Sequence, residues 1–98
     1  MKIAPIPSND EQRLQNLYSY EILDSAPEDE FNDLVELASA FCKTPISLIT
    51  LLDKDRQWFK ARKGFEAAET DRGSSFCSHA ILSNDVLVVE DATKDERF

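Results

Sequence analysis

Cys77, Ser78 and His79 stand together in a chain of 98 residues that has one histidine and two cysteines, so thiol–imidazole chemistry has to begin here. A nucleophilic dyad needs thiol and imidazole within hydrogen-bond reach of each other. If residues 76–82 form a helix, positions two apart lie about 200° around its axis, and the two side chains face opposite ways. Cys77 then shares a face with Ile81, and His79 with Phe76 and Ser83. A cysteine near a helix N-terminus can still act alone as a reactive thiol. The competing expectation is a small apolar side chain buried in the core. Cys42, on the apolar side of a helical pattern, reads as core. Two Cys and one His at this spacing fit no zinc site, which needs a further ligand. No Ser/His/Asp set, glycine-rich phosphate loop or carboxylate pair at catalytic spacing occurs. The residues therefore predict no enzyme and no metal.

The elements that would position these residues follow from periodicity. Residues 1–9 read as an irregular lead-in with Pro5 and Pro7, and 10–98 as one partial domain. A helix over 10–21 is expected from Leu14, Leu17, Tyr18 and Ile22, with Asp10 and Glu11 suiting its positive end. A second helix over 28–43 carries Phe31, Leu34, Val35, Ala38, Phe41 and Cys42 at i, i+3, i+4 and i+7 spacing. Pro45 stops it, and a hairpin over 46–63 follows around the polar turn Asp53-Lys54-Asp55. Its first strand is apolar on both faces, which predicts a central strand covered on both sides. Its second strand alternates strictly, with Arg56, Trp58, Lys60 and Arg62 on one face. Residues 65–73 read as a polar loop, 76–82 as a short helix, and 86–89 as a strand. The class is α+β. Three strands make a poor independent sheet, so the chain reads as incomplete.

Charge narrows the range of partners. Nineteen Asp+Glu against eleven Lys+Arg leave a formal charge of −8, which argues against nucleic-acid binding. No apolar run is long enough to span a bilayer and no signal core opens the chain, so a cytoplasmic location without membrane contact is expected. Nine acidic residues fall within positions 10–36, and five of the eleven basic residues fall in the hairpin. The basic hairpin face reads either as a solvated face with side-chain stems over Trp58, or as a docking surface for an acidic partner.

Five blocks occur in order: Tyr20-Glu-Ile-Leu-Asp24 with Pro27, Thr44-Pro-Ile46, Leu52-Asp-Lys-Asp-Arg-Gln-Trp-Phe-Lys60, Ser75-Phe-Cys-Ser-His-Ala-Ile81 and Val88-Val-Glu-Asp-Ala92. Together they resemble the N-terminal portion of a bacterial GAF domain, a sensing or dimerising module of signalling proteins. The resemblance implies a GAF-like, PAS-related antiparallel sheet with flanking helices, here lacking its C-terminal strands and closing helix. It implies a regulatory sensor that binds an unknown small molecule. The candidate ligand-binding residues are Leu48, Thr50, Phe59, Phe76, Cys77 and His79. It also implies a downstream output domain, such as a histidine kinase or a cyclic-dinucleotide enzyme. Bilin attachment at Cys77 is not expected, because Ser78 stands where bilin-binding relatives have His.

Two alternatives stand beside the sensor: a dimerisation module without ligand, and a redox switch through Cys77. Phe31, Leu34, Phe41, Ile49 and Phe59 are expected to be buried, with Phe41→Ala costing about 3–5 kcal/mol. Self-association is expected from the strand left without a neighbour.

Overall fold

An apolar strand and an alternating one on either side of a polar turn set up the hairpin around which the other elements are arranged. The computed structural model describes residues 2–98. Strand β1 (Ser47–Leu52) pairs antiparallel with β2 (Arg56–Lys63), Leu51 lying opposite Trp58 and Ser47 opposite Lys63. A short strand β3 (Glu69–Asp71) joins the far edge of β2, with Thr70 opposite Gln57. Helices α1 (Asp10–Ser19) and α2 (Asp29–Cys42) precede the sheet, and α3 (Phe76–Ala80) follows it. The chain is thus α+β, with sheet order β1-β2-β3. No helix among the described residues is long and apolar enough to cross a membrane.

The helix ends have local causes. Lys43 takes a left-handed conformation (φ 54°) after α2, and the Thr44 N–H donates to the Ser39 carbonyl. Pro45 then disfavours any return to helix. Gly64 ends β2 at φ +73°, with the Pro45 carbonyl oxygen where a side chain would begin. β3 lies inside the stretch that reads as a polar loop. Its Glu-Thr-Asp sequence has little strand preference, and pairing with β2 determines it, aided by the bond from Gln57 Nε2 to Thr70 Oγ1 (2.9 Å).

Several expectations are corrected here. The register shifts between Ile49 and Thr50, and this bulge reverses the alternation of β2. Lys60 reaches the ring of Phe31 on the α2 side, and beyond the bulge Lys63, not Arg62, is the residue bonded to Glu36 of α2. The strand expected at 86–89 does not form. Among the described residues its backbone makes no ladder to another strand, and Val86 and Val88 face solvent while Leu87 and Val89 are half-buried. β1 is not central: α2 packs on one face and α3 on the other, but it forms one edge of the sheet. Phe59 is buried, and Phe31 and Ile49 are half-buried. Leu34 and Phe41 are 53% and 86% exposed, and Cys42 is exposed too. A three-stranded sheet ending at β1 is wide enough to cover Val35 and Ser39 but not the neighbouring flank of α2. Truncating Phe41 therefore opens no cavity in the folded chain, and the large cost expected for it is withdrawn.

The attachment of α1 is largely polar. Of its apolar residues, Leu14 is buried, Leu17 half-buried and Tyr18 exposed. Asp10 instead binds Arg72, which precedes α3, through both carboxylate oxygens (2.9 and 3.0 Å), and both side chains are almost wholly buried. Arg13 adds a bond to Asp10 (2.9 Å) and donates to the Leu52 carbonyl at the end of β1 (2.6 Å). Arg72 also donates to the carbonyls of Asp53 and Lys54 in the hairpin turn. Such charge-assisted, two-pronged bonds are the strong ones. They offset the cost of Arg13 Nη2 and Arg72 Nε, which are buried without a protein partner.

Two measurements check this account. The Arg72 guanidinium, with Arg13 beside it, holds the Asp10 carboxyl at about 2, below its ordinary 3.8. The unfolded chain takes up that proton more readily, so stability of about 2 kcal/mol is fully present above pH ~4 and lost as pH falls towards ~2. Urea denaturation should show Asp10→Asn less stable than the parent at pH 7, with the gap closing in acid; a constant gap contradicts the ion pair. Gly64→Ala should lower stability by at least about 1–2 kcal/mol, because the side chain meets both a left-handed backbone and the Pro45 carbonyl. A neutral result in the same titration contradicts the close approach.

Candidate functional site

The serines around α3 fix it before any ligand is considered. Ser75 caps the helix by accepting the Ser78 N–H (3.1 Å), and its own hydroxyl donates to the Arg72 carbonyl (2.6 Å). The Ser78 hydroxyl donates back to the Ser75 carbonyl (2.7 Å). Both serines are buried, so this short helix is held by hydrogen bonds in place of length.

With α3 fixed, the six candidate residues divide into two groups. Cys77 of α3 faces Thr50 of β1, whose side chain acts on the thiol. Phe59 lies opposite Thr50 in the β1–β2 register and packs edge-on against Phe65, with ring centres 5.3 Å apart. Leu48 is half-buried on the same strand, opposite Arg62. Phe76 and His79 turn instead to the end of the chain. Phe76 lies 4.4 Å and His79 4.9 Å from the Phe98 ring, and His79 Nε2 is 2.9 Å from the Lys2 carbonyl. Cys77 and His79 thus face different parts of the molecule, as the rotation between i and i+2 requires.

Burial raises the Cys77 thiol above its ordinary value, the neighbouring Thr50 side chain opposing this only in part. The environment therefore favours the neutral thiol, which weakens the redox-switch reading. Beside Cys77 lies an apolar cavity of about 450 Å³ lined by Phe76, Cys77, Ala80, Leu87, Val89 and Ala92. Leu87 and Val89 come from the segment that does not form a strand. A second, larger cleft of about 700 Å³ lies between α1 and the hairpin turn, with Leu14 and Tyr18 beside Asp10, Lys54 and Arg72. The residues alone did not indicate it, because positions 10, 54 and 72 share no local spacing.

The basic hairpin face finds its acidic partners within the chain. Arg56 binds Asp24 (2.7 Å), Asp53 (2.9 Å) and Glu69 (3.1 Å). Asp24 and Glu21 both hold positive φ in the α1–α2 connection, and the Arg56 bond keeps Asp24 in place. Lys60, whose side chain is fully buried, donates to Ser25 Oγ (2.7 Å) and the Ala26 carbonyl (2.6 Å) and pairs with Glu28 (2.6 Å). The bonds tie the connection before α2 to the sheet. Arg56 and Lys60 are structural here.

No family model matches the chain. It is similar to the cyclic di-GMP phosphodiesterase PA2567 of Pseudomonas aeruginosa, with 37% identity over all 98 residues. The chain spans 17% of that protein's length. The expectation that no enzyme is involved is therefore corrected: a protein matched along the whole of this chain is a phosphodiesterase. The chain is related to part of a signalling protein.

The two thiols should differ in reactivity. Cys42 is exposed and Cys77 half-buried with a raised pKa, so a thiol reagent should modify Cys42 first. In a Cys42→Ser variant the remaining reaction should be slow and should accelerate on unfolding in guanidinium. Rapid modification of Cys77 in the folded variant would restore the redox reading.

Proposed function

We propose that these residues form a GAF-type regulatory module of a cyclic di GMP phosphodiesterase or closely related cyclic-dinucleotide enzyme, and that the module senses a small apolar molecule in the cavity beneath α3. The match to the Pseudomonas phosphodiesterase along all 98 residues carries this reading. The apolar cavity beside Cys77, with the resemblance of the sequence blocks, supports the sensing role. A cavity of this size and lining suits a compact hydrophobic ligand.

The contacts around α3 supply a route for its effect. A ligand that displaces α3 pulls on Ser75, whose hydroxyl is bonded to the Arg72 carbonyl. The Arg72 guanidinium holds Asp10, the first residue of α1. Movement at the cavity is thereby transmitted to a helix that has few apolar anchors of its own.

A chimera tests the proposal. The matching segment of the Pseudomonas enzyme is replaced by these 98 residues, and cyclic di-GMP hydrolysis is measured. Ala80→Phe fills the cavity, and should change the hydrolysis rate by roughly fivefold or more if cavity and active site are coupled. Native mass spectrometry of the chimera after gentle purification should show added mass that the Ala80→Phe variant lacks. Equal rates and no added mass in either protein would overturn the reading.

A further inference from the structure

Helix α3 has only five residues, too few to sustain a helix alone, so the ties at its two ends decide whether it stays on β1. Its first turn is held by the Ser75 and Ser78 bonds and, through the Ser75 hydroxyl, by the Arg72 carbonyl. Its last turn carries His79, and there the tie comes from the segment that precedes α1. His79 Nε2 lies 2.9 Å from the Lys2 carbonyl. A carbonyl only accepts, so Nε2 carries the proton and donates.

Residues 2–7 belong to no helix or strand, yet they do not lie free of the fold. Ala4 and Ile6 each precede a proline, which keeps their backbone out of the helical region, and the proline rings stiffen the run. A stiff run loses less entropy when it lies down on the fold. The Lys2 N–H donates to the Arg97 carbonyl (2.9 Å) while the Lys2 carbonyl takes His79. This one residue therefore joins α3 to the segment around Asp95–Phe98. The Ile3 side chain lies over Gly73, where a Cβ would stand 3.7 Å from two of its carbons. Ala4 is buried, and the Pro7 carbonyl accepts the Asp10 N–H at the start of α1. Lys2 and Ile3 thus touch the chain on both sides of α3, His79 in its last turn and Gly73 in the loop before it.

We propose that residues 2–7 are a strap that controls access to Cys77. With the strap in place α3 is pinned at both ends. With the strap lifted, α3 keeps its serine cap but loses the His79 tie, and it pivots about Ser75. The pivot draws Cys77 and Ala80 away from Leu87, Val89 and Ala92, the opposite wall of their cavity, and exposes the thiol. The strap is the weaker side of this contact. It rests on one small buried side chain and two backbone-level ties, whereas the hairpin rests on a continuous ladder, so it opens first. Because Lys2 is bonded to Arg97 as well as to His79, movement of the Asp95–Phe98 segment also releases it. The strap acts on α3 whether or not a ligand occupies the cavity, so it goes beyond the sensing role and stands or falls apart from it.

Labelling of Cys77 by a thiol reagent in the Cys42→Ser background, read beside amide exchange of the β1–β2 ladder, tests the strap. Ala4→Glu places a charge at the buried point of the strap and lifts it. His79→Phe keeps a ring beside Phe98 but loses the donor to Lys2, and His79→Gln supplies a donor again. Ala4→Glu and His79→Phe should each label Cys77 roughly fivefold faster or more, the effect of losing one hydrogen bond on a local opening, with the ladder amides exchanging at the parental rate. His79→Gln should label more slowly than His79→Phe. His79→Phe alters a half-buried position and decides the matter by itself if Ala4→Glu does not fold. Two results would overturn the strap. Labelling at the parental rate in His79→Phe means that the serine cap alone holds α3. Labelling and ladder exchange that rise by the same factor mean that residues 2–7 add only to global stability.

Discussion

A buried carboxylate gripped by two guanidinium groups ties together parts of the chain that apolar packing reaches only weakly. Asp10 opens α1, Arg72 precedes α3, and Arg13 reaches the end of β1 from within α1. Arg72 also holds two carbonyls of the hairpin turn. Without this set, α1 would rest mainly on Leu14, and the loop leading to α3 would lose its anchor. An ion pair so placed gives geometry more surely than stability, since withdrawing its charges from water costs much of what their attraction returns. Its value here is that few other arrangements of these elements satisfy it.

The same logic runs along the other side of the hairpin. Arg56 gathers three carboxylates from separate segments, and Lys60 is enclosed by Ser25, Ala26, Glu28 and Phe31. The acidic N-terminal half and the basic hairpin are thus complementary halves of one assembly. The side chains of β1 itself carry no charge and take no part in these ion pairs.

At the α3 site, position and chemistry are separable. Ser75 and Ser78 position the helix by saturating its first turn, and Cys77 then meets Thr50 while His79 turns to Phe98. The separation of Cys77 from His79 was legible from helical rotation alone, as was the meeting of Phe76 and His79 on one side. What could not be read was the cavity's outer wall. Leu87 and Val89 line it from a segment that pairs with no strand among the described residues, and β pairing depends on what lies alongside, not on local preference.

Local periodicity determined where the helices and the hairpin lie, and so the α+β class, because hydrophobic spacing and the proline and glycine stops act between near neighbours in the chain. It also showed that α2 and β1 each carry more apolar surface than one face. Tertiary structure alone decided which part of that surface is covered. Leu34 and Phe41 obey the same spacing as Val35, yet Val35 faces the sheet and they do not, since the sheet ends at β1. The bulge after Ile49 exchanged Arg62 for Lys63 on the α2 side, a one-residue effect invisible to alternation. Asp10 and Arg72 are 62 positions apart, and no pattern links residues at that separation until folding brings them together. Charge shows that such pairs can exist; only the packed backbone selects which ones do.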